Sequence, residues 1–190
     1  MNFENMSRSN LTPVAILEGW IAGSYPIAPE FEQLAFWELA SNCRARAFGI
    51  TSDNAADVVR SKADLFFALD ELHNFPLKST TFLENLWNFW LPLAMQLSAQ
   101  KQSLKRPLIQ GIVGGQGTGK TTLAKILTLI LGKLGYSTVS LSLDDLYKTY
   151  ADRQQLQKAD PRLIWRGPPG THDLELGIAV LDRLRSAQNH

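Results

Sequence analysis

Gly114-Gly115-Gln116-Gly117-Thr118-Gly119-Lys120-Thr121-Thr122 is the stretch on which the reading of this chain turns. A short apolar run, Leu108 to Val113, stands in front of it, and an apolar helical pattern, Leu123 to Leu134, stands behind. Strand, glycine-rich turn and helix in that order carry the spacing G-x-x-x-x-G-K-[ST]. Where a chain curls into a helix, its first backbone N–H groups have no intrahelical acceptor and form a concave cage that favours an anion. Gly114, Gly115, Gly117 and Gly119 let that backbone approach a phosphate with no Cβ in the way. Lys120 then reaches the β- and γ-phosphates of a nucleotide, and the Thr121 hydroxyl is placed to ligate Mg²⁺. Gly114 to Thr122, with Gln116, Thr118 and Thr122 included, are therefore the expected nucleotide-binding residues. The simpler alternative is a glycine-rich hairpin carrying an exposed lysine.

Downstream, Gly135 is well placed to end the helix. Ser137-Thr138-Val139-Ser140-Leu141-Ser142-Leu143 then alternates, with Val139, Leu141 and Leu143 on one face. The continuous run Leu108 to Val113 suits a strand buried on both faces of a parallel sheet. Strand, helix and strand predict an α/β fold with a right-handed βαβ unit, its ligands at the carboxyl ends of the strands.

At such an end comes Asp144-Asp145-Leu146-Tyr147. Beside a phosphate loop, one carboxylate can accept the proton of an attacking hydroxyl while the other holds Mg²⁺ directly or through water. An N-cap on a helix starting at Leu146 is the structural alternative. Catalysis is the favoured reading for Asp144. A third patch runs Trp165-Arg166-Gly167-Pro168-Pro169-Gly170-Thr171-His172-Asp173, with an amphipathic helix from Leu174 to Leu184 after it. Its prolines and glycines enforce a shaped loop. Arg166 offers a planar fork for a carboxylate or phosphate. His172 is either a ligand group or a partly buried polar residue, and Asp173 either belongs to the site or caps the helix.

Upstream, residues 1–103 read as helices: Ala28 to Phe48 with Gly49 as the stop, Asp53 to Leu72, and a third on the stripe Leu83, Leu86, Trp87, Trp90, Ala94 and Leu97. Thr81 and Glu84 have the spacing of a capping box, and Pro92 should bend or split that third helix. Trp20, Trp37, Trp87 and Trp90 read as core residues of this helical layer rather than as a ligand pocket.

The chain has 190 residues, 45% hydrophobic and 19% charged, with a net charge of +1. That describes a globular protein without the basic stripe of a nucleic-acid motor. The single cysteine, Cys43, forms no internal disulfide and reads as a small packing residue in a reducing compartment. The first ten residues, with Glu4 and Asn10, lack the apolar core of a secretory signal. The stretch Leu86 to Leu97, interrupted by Asn88 and Pro92, is too short to span a bilayer. A small-molecule substrate, no nucleic acid, no membrane, and a cytoplasmic or plastid-stroma location are the expectations.

Taken together, Gly114 to Thr121, Ser142-Leu143-Asp144-Asp145-Leu146-Tyr147 and Arg166-Gly167-Pro168-Pro169-Gly170-Thr171-His172-Asp173 resemble the P-loop small-molecule kinases, the group of uridine kinase, pantothenate kinase and phosphoribulokinase. Within that group the sequence is most similar to the D-glycerate 3-kinases of plants and cyanobacteria. The resemblance implies ATP-dependent, Mg²⁺-dependent phosphorylation of the 3-hydroxyl of D-glycerate. It implies Asp144 as base and, with Thr121, as metal ligand, and Lys120 on the transferring phosphate. Asp145, Tyr147, Arg166 and His172 would lie near the acceptor. It also implies a P-loop parallel sheet, incomplete with two strands visible, behind a helical extension over 1–103, so that 104–190 is the first part of a kinase domain. The sequence is accordingly expected to belong to a longer or truncated kinase that by itself binds ATP poorly. Two other readings stand beside it: the same fold acting on uridine or pantothenate, and a non-catalytic nucleotide-binding interaction module.

Overall fold

A computed structural model describes residues 11–69 and 79–186. Leu72 and the polar first ten residues lie outside the described residues. Contacts divide the chain into two units: residues up to Ser103 together with Gln110–Thr138, and Leu104–Ile109 together with the residues from Val139 onward.

The first unit is helical. In order come α1 (Pro13–Ile21), α2 (Ala28–Ala40), α3 (Asn42–Ala47), α4 (Ala55–Ala68), α5 (Thr80–Asn85), α6 (Leu91–Gln102) and α7 (Lys120–Lys133). The apolar stripes of the sequence become its core, with Leu17, Leu34, Val59, Leu83, Leu86, Trp87, Leu91, Ile126 and Ile130 all but sealed from solvent. Each such side chain contributes roughly 1.5–3 kcal/mol by leaving water. Trp20 and Trp87 meet edge to face at 6.0 Å. The Trp20 indole N–H donates to Glu30 Oε2 at 2.9 Å, and the same carboxylate oxygen accepts the Ile27 N–H at 3.2 Å. One buried acid thus caps α2 and holds the tryptophan.

Local chemistry shifts several boundaries. The helix expected from Ala28 to Phe48 breaks at Ser41, where ψ is 89°. Gly49 does end the second piece, its N–H reaching Arg46 O while Ile50 N–H reaches Ala45 O. α5 starts at Thr80, so Thr81 lies inside the helix and the Thr81–Glu84 box is not its cap. Pro92 acts as expected: a π-helical turn, Leu86–Trp90, separates α5 from α6. Trp37 is 39% exposed, and Cys43 is also exposed, so neither is the core residue expected of it.

Inside this layer lies an unbalanced charge cluster. Lys62 on α4 donates to Glu38 Oε1 on α2 at 2.5 Å, with both side chains buried. Arg44 Nε on α3 stands 3.6 Å from the other Glu38 oxygen, and Lys62 Nζ lies 4.4 Å over the Trp87 ring. Two cations share one buried carboxylate, Lys62 sealed from solvent and Arg44 partly exposed. Burial therefore outweighs the attraction of Glu38 and pulls the Lys62 pKa down to about 8, with Arg44 pushing the same way.

The parallel sheet expected around the loop is overturned. Among the described residues there is no strand, only one isolated bridge, between Tyr147 and His172. Ile109 and Val113 are 62% and 100% exposed, and Val139 and Leu143 are 66% and 74% exposed. An apolar run becomes a strand only where a neighbour completes its ladder, and no described segment does so for 108–113 or 137–143. The α7 half of the pattern survives because its partners are helices: Ile126, Leu127 and Ile130 bury against a face that includes α4 and α6.

The second unit contains a three-ten turn (Leu143–Leu146), α8 (Tyr150–Ala159), a second such turn (Pro161–Ile164) and α9 (Leu174–Ser186). Thr149 caps α8, accepting the Asp152 N–H, and Asp152 accepts the Thr149 N–H in return.

Candidate functional site

The glycine loop runs directly into α7. Gly119 is its N-cap, with φ 82°, a conformation that costs a side-chain-bearing residue about 1–2 kcal/mol. The first helical bond goes from Leu123 N–H to Gly119 O at 2.9 Å, so the N–H groups of Lys120, Thr121 and Thr122 precede any intrahelical acceptor. At the other end of the loop a Cβ on Gly114 would lie 2.8 Å from Thr118 Oγ1. That hydroxyl is fixed by donating to Gly115 O at 2.8 Å. Lys120 bends back over the loop, its Nζ donating to Gly114 O and Gly115 O at 2.8 and 2.7 Å. Gln116, Gly117, Thr121 and Thr122 are exposed. A loop in which Gly114, Gly115, Gly117 and Gly119 carry no Cβ, a cation lying over it and a helix N-terminus behind it fit a phosphate group. The hairpin alternative is excluded, since a fourteen-residue helix follows the loop. α7 ends where expected, with Gly135 N–H on Gly132 O and Tyr136 N–H on Leu131 O.

The second unit gathers most of the remaining sequence-derived residues. Lys148 N–H donates to Thr171 O at 2.9 Å and Asp173 N–H to Leu146 O at 2.7 Å, which frames Tyr147 and His172 as the close, non-hydrogen-bonded pair of an antiparallel bridge. Such a pair brings its side chains together on one face. The Tyr147 and His172 rings accordingly stack at 4.1 Å with 27° between planes. The Arg166 guanidinium lies 5.3 Å from the Tyr147 ring, exposed, with no acidic partner among the described residues. Tyr147, His172 and Arg166 thus form one aromatic and cationic cluster.

The loop that delivers His172 is built by its composition. Pro169 and Gly170, the latter at φ 93°, occupy the central positions of a turn closed by Thr171 N–H on Pro168 O at 3.2 Å, the type II pattern. Thr171 is fully buried and donates its hydroxyl to the same carbonyl at 2.7 Å. The two acids separate in role. Asp145 Oδ2 accepts the Ser142 N–H at 3.2 Å while Ser142 Oγ accepts the Asp144 N–H at 3.2 Å, a capping box on the three-ten turn. The Asp144 carboxylate is exposed and accepts no hydrogen bond among the described residues. Asp173 caps α9, its Oδ1 accepting Leu176 N–H at 2.9 Å.

Three features escaped the sequence reading. Ser142-x-x-Asp145 and Thr149-x-x-Asp152 both carry the capping-box spacing and were legible as such. Gly177 on α9 leaves room for buried Leu146, whose Cδ1 a Cβ would approach to 3.0 Å. Arg153 is buried without an acidic partner among the described residues, and no local pattern announces it. A cleft of about 450 Å³ lies in the helical unit, between Trp20, Tyr25, Phe31 and Phe67. Among the described residues no group of three or more His, Cys, Asp or Glu side chains is arranged to hold a metal ion.

Over 89 residues the chain is 43% identical to an uncharacterized kinase of Schizosaccharomyces pombe, an alignment covering 45% of this chain and 32% of that protein. Over 131 residues it is 30% identical to the chloroplastic D-glycerate 3-kinase of Arabidopsis thaliana, covering 62% and 28%. The chain is a relative of these kinases. A uridine kinase of Leuconostoc citreum is 32% identical over 79 residues, covering 42% of this chain and 36% of that enzyme. The chain therefore matches about a third of the length of each of these relatives. No family model matches it. No helix among the described residues is long and apolar enough to cross a membrane.

Proposed function

We propose that this chain carries the nucleotide loop and the acceptor-binding elements of an ATP-dependent kinase that phosphorylates D-glycerate on its 3-hydroxyl. The observation that carries this reading is the glycine-rich loop Gly114 to Gly119 at the N-terminus of α7, with Lys120 bent over it. In that role the main-chain N–H groups hold the β- and γ-phosphates, and Lys120 leaves the Gly114 and Gly115 carbonyls to meet the charge that develops on the transferring phosphoryl group. Mg²⁺ neutralises phosphate oxygens when bound. Thr121 and Asp144 are its proposed ligands, a set that suits an ion entering with a triphosphate, because Mg²⁺ commonly binds through one or two carboxylates plus phosphates and water.

Asp144 is assigned as the base that takes the acceptor's hydroxyl proton as its oxygen attacks phosphorus. Its carboxylate is uncommitted, whereas that of Asp145 is tied to the main chain. Arg166, beside Tyr147 and His172, supplies a cationic fork for the carboxylate of a small hydroxy acid. That cation favours glycerate over uridine, which has no carboxylate to present. The test is ADP formation by the protein with ATP and Mg²⁺ against a panel of D-glycerate, uridine and pantothenate. Turnover is expected with D-glycerate and lost in Asp144→Asn. Turnover with uridine alone overturns the acceptor, and nucleotide binding without transfer, indifferent to Asp144→Asn, overturns the enzyme.

A further inference from the structure

Arg153 is the least expected charge in the second unit. It lies on the first turn of α8 and is 9% exposed, yet among the described residues it has no acidic partner. Its guanidinium is spent on main chain instead: Nε donates to Lys148 O at 3.2 Å and an Nη donates to Ile164 O at 2.7 Å. It also lies 5.7 Å from the Tyr150 ring. Withdrawing an ion from water without a counter-ion is costly, so what the fork holds in place matters. Lys148 follows Tyr147 directly and donates its own N–H to Thr171 O, next to His172. Ile164 precedes Arg166 by two residues. One rigid, planar group therefore ties the strand of chain that presents Tyr147 to the strand that presents Arg166, and through Lys148 it reaches the loop that presents His172.

We propose that Arg153 is the positioning residue of the Tyr147–Arg166–His172 cluster: bridging the Lys148 and Ile164 carbonyls, it sets the spacing at which these side chains meet a small anionic hydroxy acid. The acceptor half of this statement rests on the function proposed above; the positioning half does not. Lysine cannot replace it, because a single ammonium on a flexible stem lacks the fork that fixes two carbonyls at once.

Nuclear Overhauser contacts and ring-current shifts between the Tyr147 and His172 rings, read in the whole chain, give a direct test. In Arg153→Lys the ring contacts are expected to weaken and both sets of ring signals to move. Thr149→Ala is the comparison, since it loosens α8 by removing its cap while leaving both guanidinium bonds in place. If Thr149→Ala disturbs the rings as much as Arg153→Lys does, or Arg153→Lys leaves them unchanged, the positioning role is overturned. Titration with D-glycerate separates the two halves. Wild type should respond at these rings and Arg153→Lys should bind about tenfold more weakly, as small misplacements of a site commonly cost. A wild type indifferent to D-glycerate, with the ring effects intact, overturns the acceptor and upholds the positioning.

Discussion

Lys62 makes an unusual demand on the pH dependence of stability. Its ammonium and Arg44 share the single carboxylate of Glu38, leaving the buried cluster with one positive charge in excess. Burial pulls its pKa from 10.5 to about 8. Below pH 8 the folded and unfolded chains both carry the ammonium, and the folded one bears the cost of desolvating it. As pH rises from about 8 to 10.5 the folded chain loses that proton while the unfolded chain keeps it, so stability increases with pH across this window. At about 1.4 kcal/mol per pKa unit the gain is on the order of 3 kcal/mol. Lys62→Met, which keeps the stem packed on Trp87 and leaves a balanced Glu38–Arg44 pair, should be neutral or stabilising at pH 7 and should flatten the profile. Glu38→Gln, which leaves buried Lys62 without its counter-ion, should cost about 3–5 kcal/mol. Urea unfolding followed by tryptophan emission at half-unit pH steps measures all three proteins. Stability that falls between pH 8 and 10, or a Lys62→Met protein less stable than Glu38→Gln, refutes the reasoning.

Other outcomes follow from single contacts. Gly119→Ala, at φ 82°, should lower stability by about 1–2 kcal/mol in thermal unfolding by circular dichroism. Gly114→Ala, which drives a Cβ to 2.8 Å from Thr118 Oγ1, should weaken nucleotide binding in a titration while leaving helix content unchanged. Asp173→Ala removes the cap of α9 and should cost about 1 kcal/mol in denaturant unfolding. Asp144→Asn should reduce D-glycerate-dependent turnover by about 10²–10⁴-fold, read as ADP formation.

What the sequence made legible was whatever depends on neighbours along the chain. The loop at 114–122, the helix behind it and its end at Gly135, the apolar stripe from Leu83 to Leu97 and the break near Pro92 are all written in local spacing. The parallel sheet expected from the apolar runs at 108–113 and 137–143 was misread, because strands require partners that spacing cannot supply, and none is present among the described residues. At the acceptor cluster, the residue types of Tyr147, Arg166 and His172 were readable. Their meeting depends on a bridge registered by Lys148 and Asp173 main chain, which only the fold reveals. Arg153 was hidden for the same reason, since its partners are carbonyls, and carbonyls have no sequence. Nothing in the spacing of the helix from Asp53 to Leu72 marks Lys62 as buried; Glu38, Arg44 and Trp87 surround it only in the fold.

The central claim is that the cradle ahead of α7 grips a triphosphate. Isothermal titration of the protein with Mg²⁺ and ATP, for wild type and for Lys120→Ala, tests it most directly. Weak but saturable one-to-one binding that disappears in Lys120→Ala, with an unchanged circular dichroism spectrum, is the predicted result. Equal affinity in the two proteins, or no binding in wild type at millimolar ATP, contradicts it.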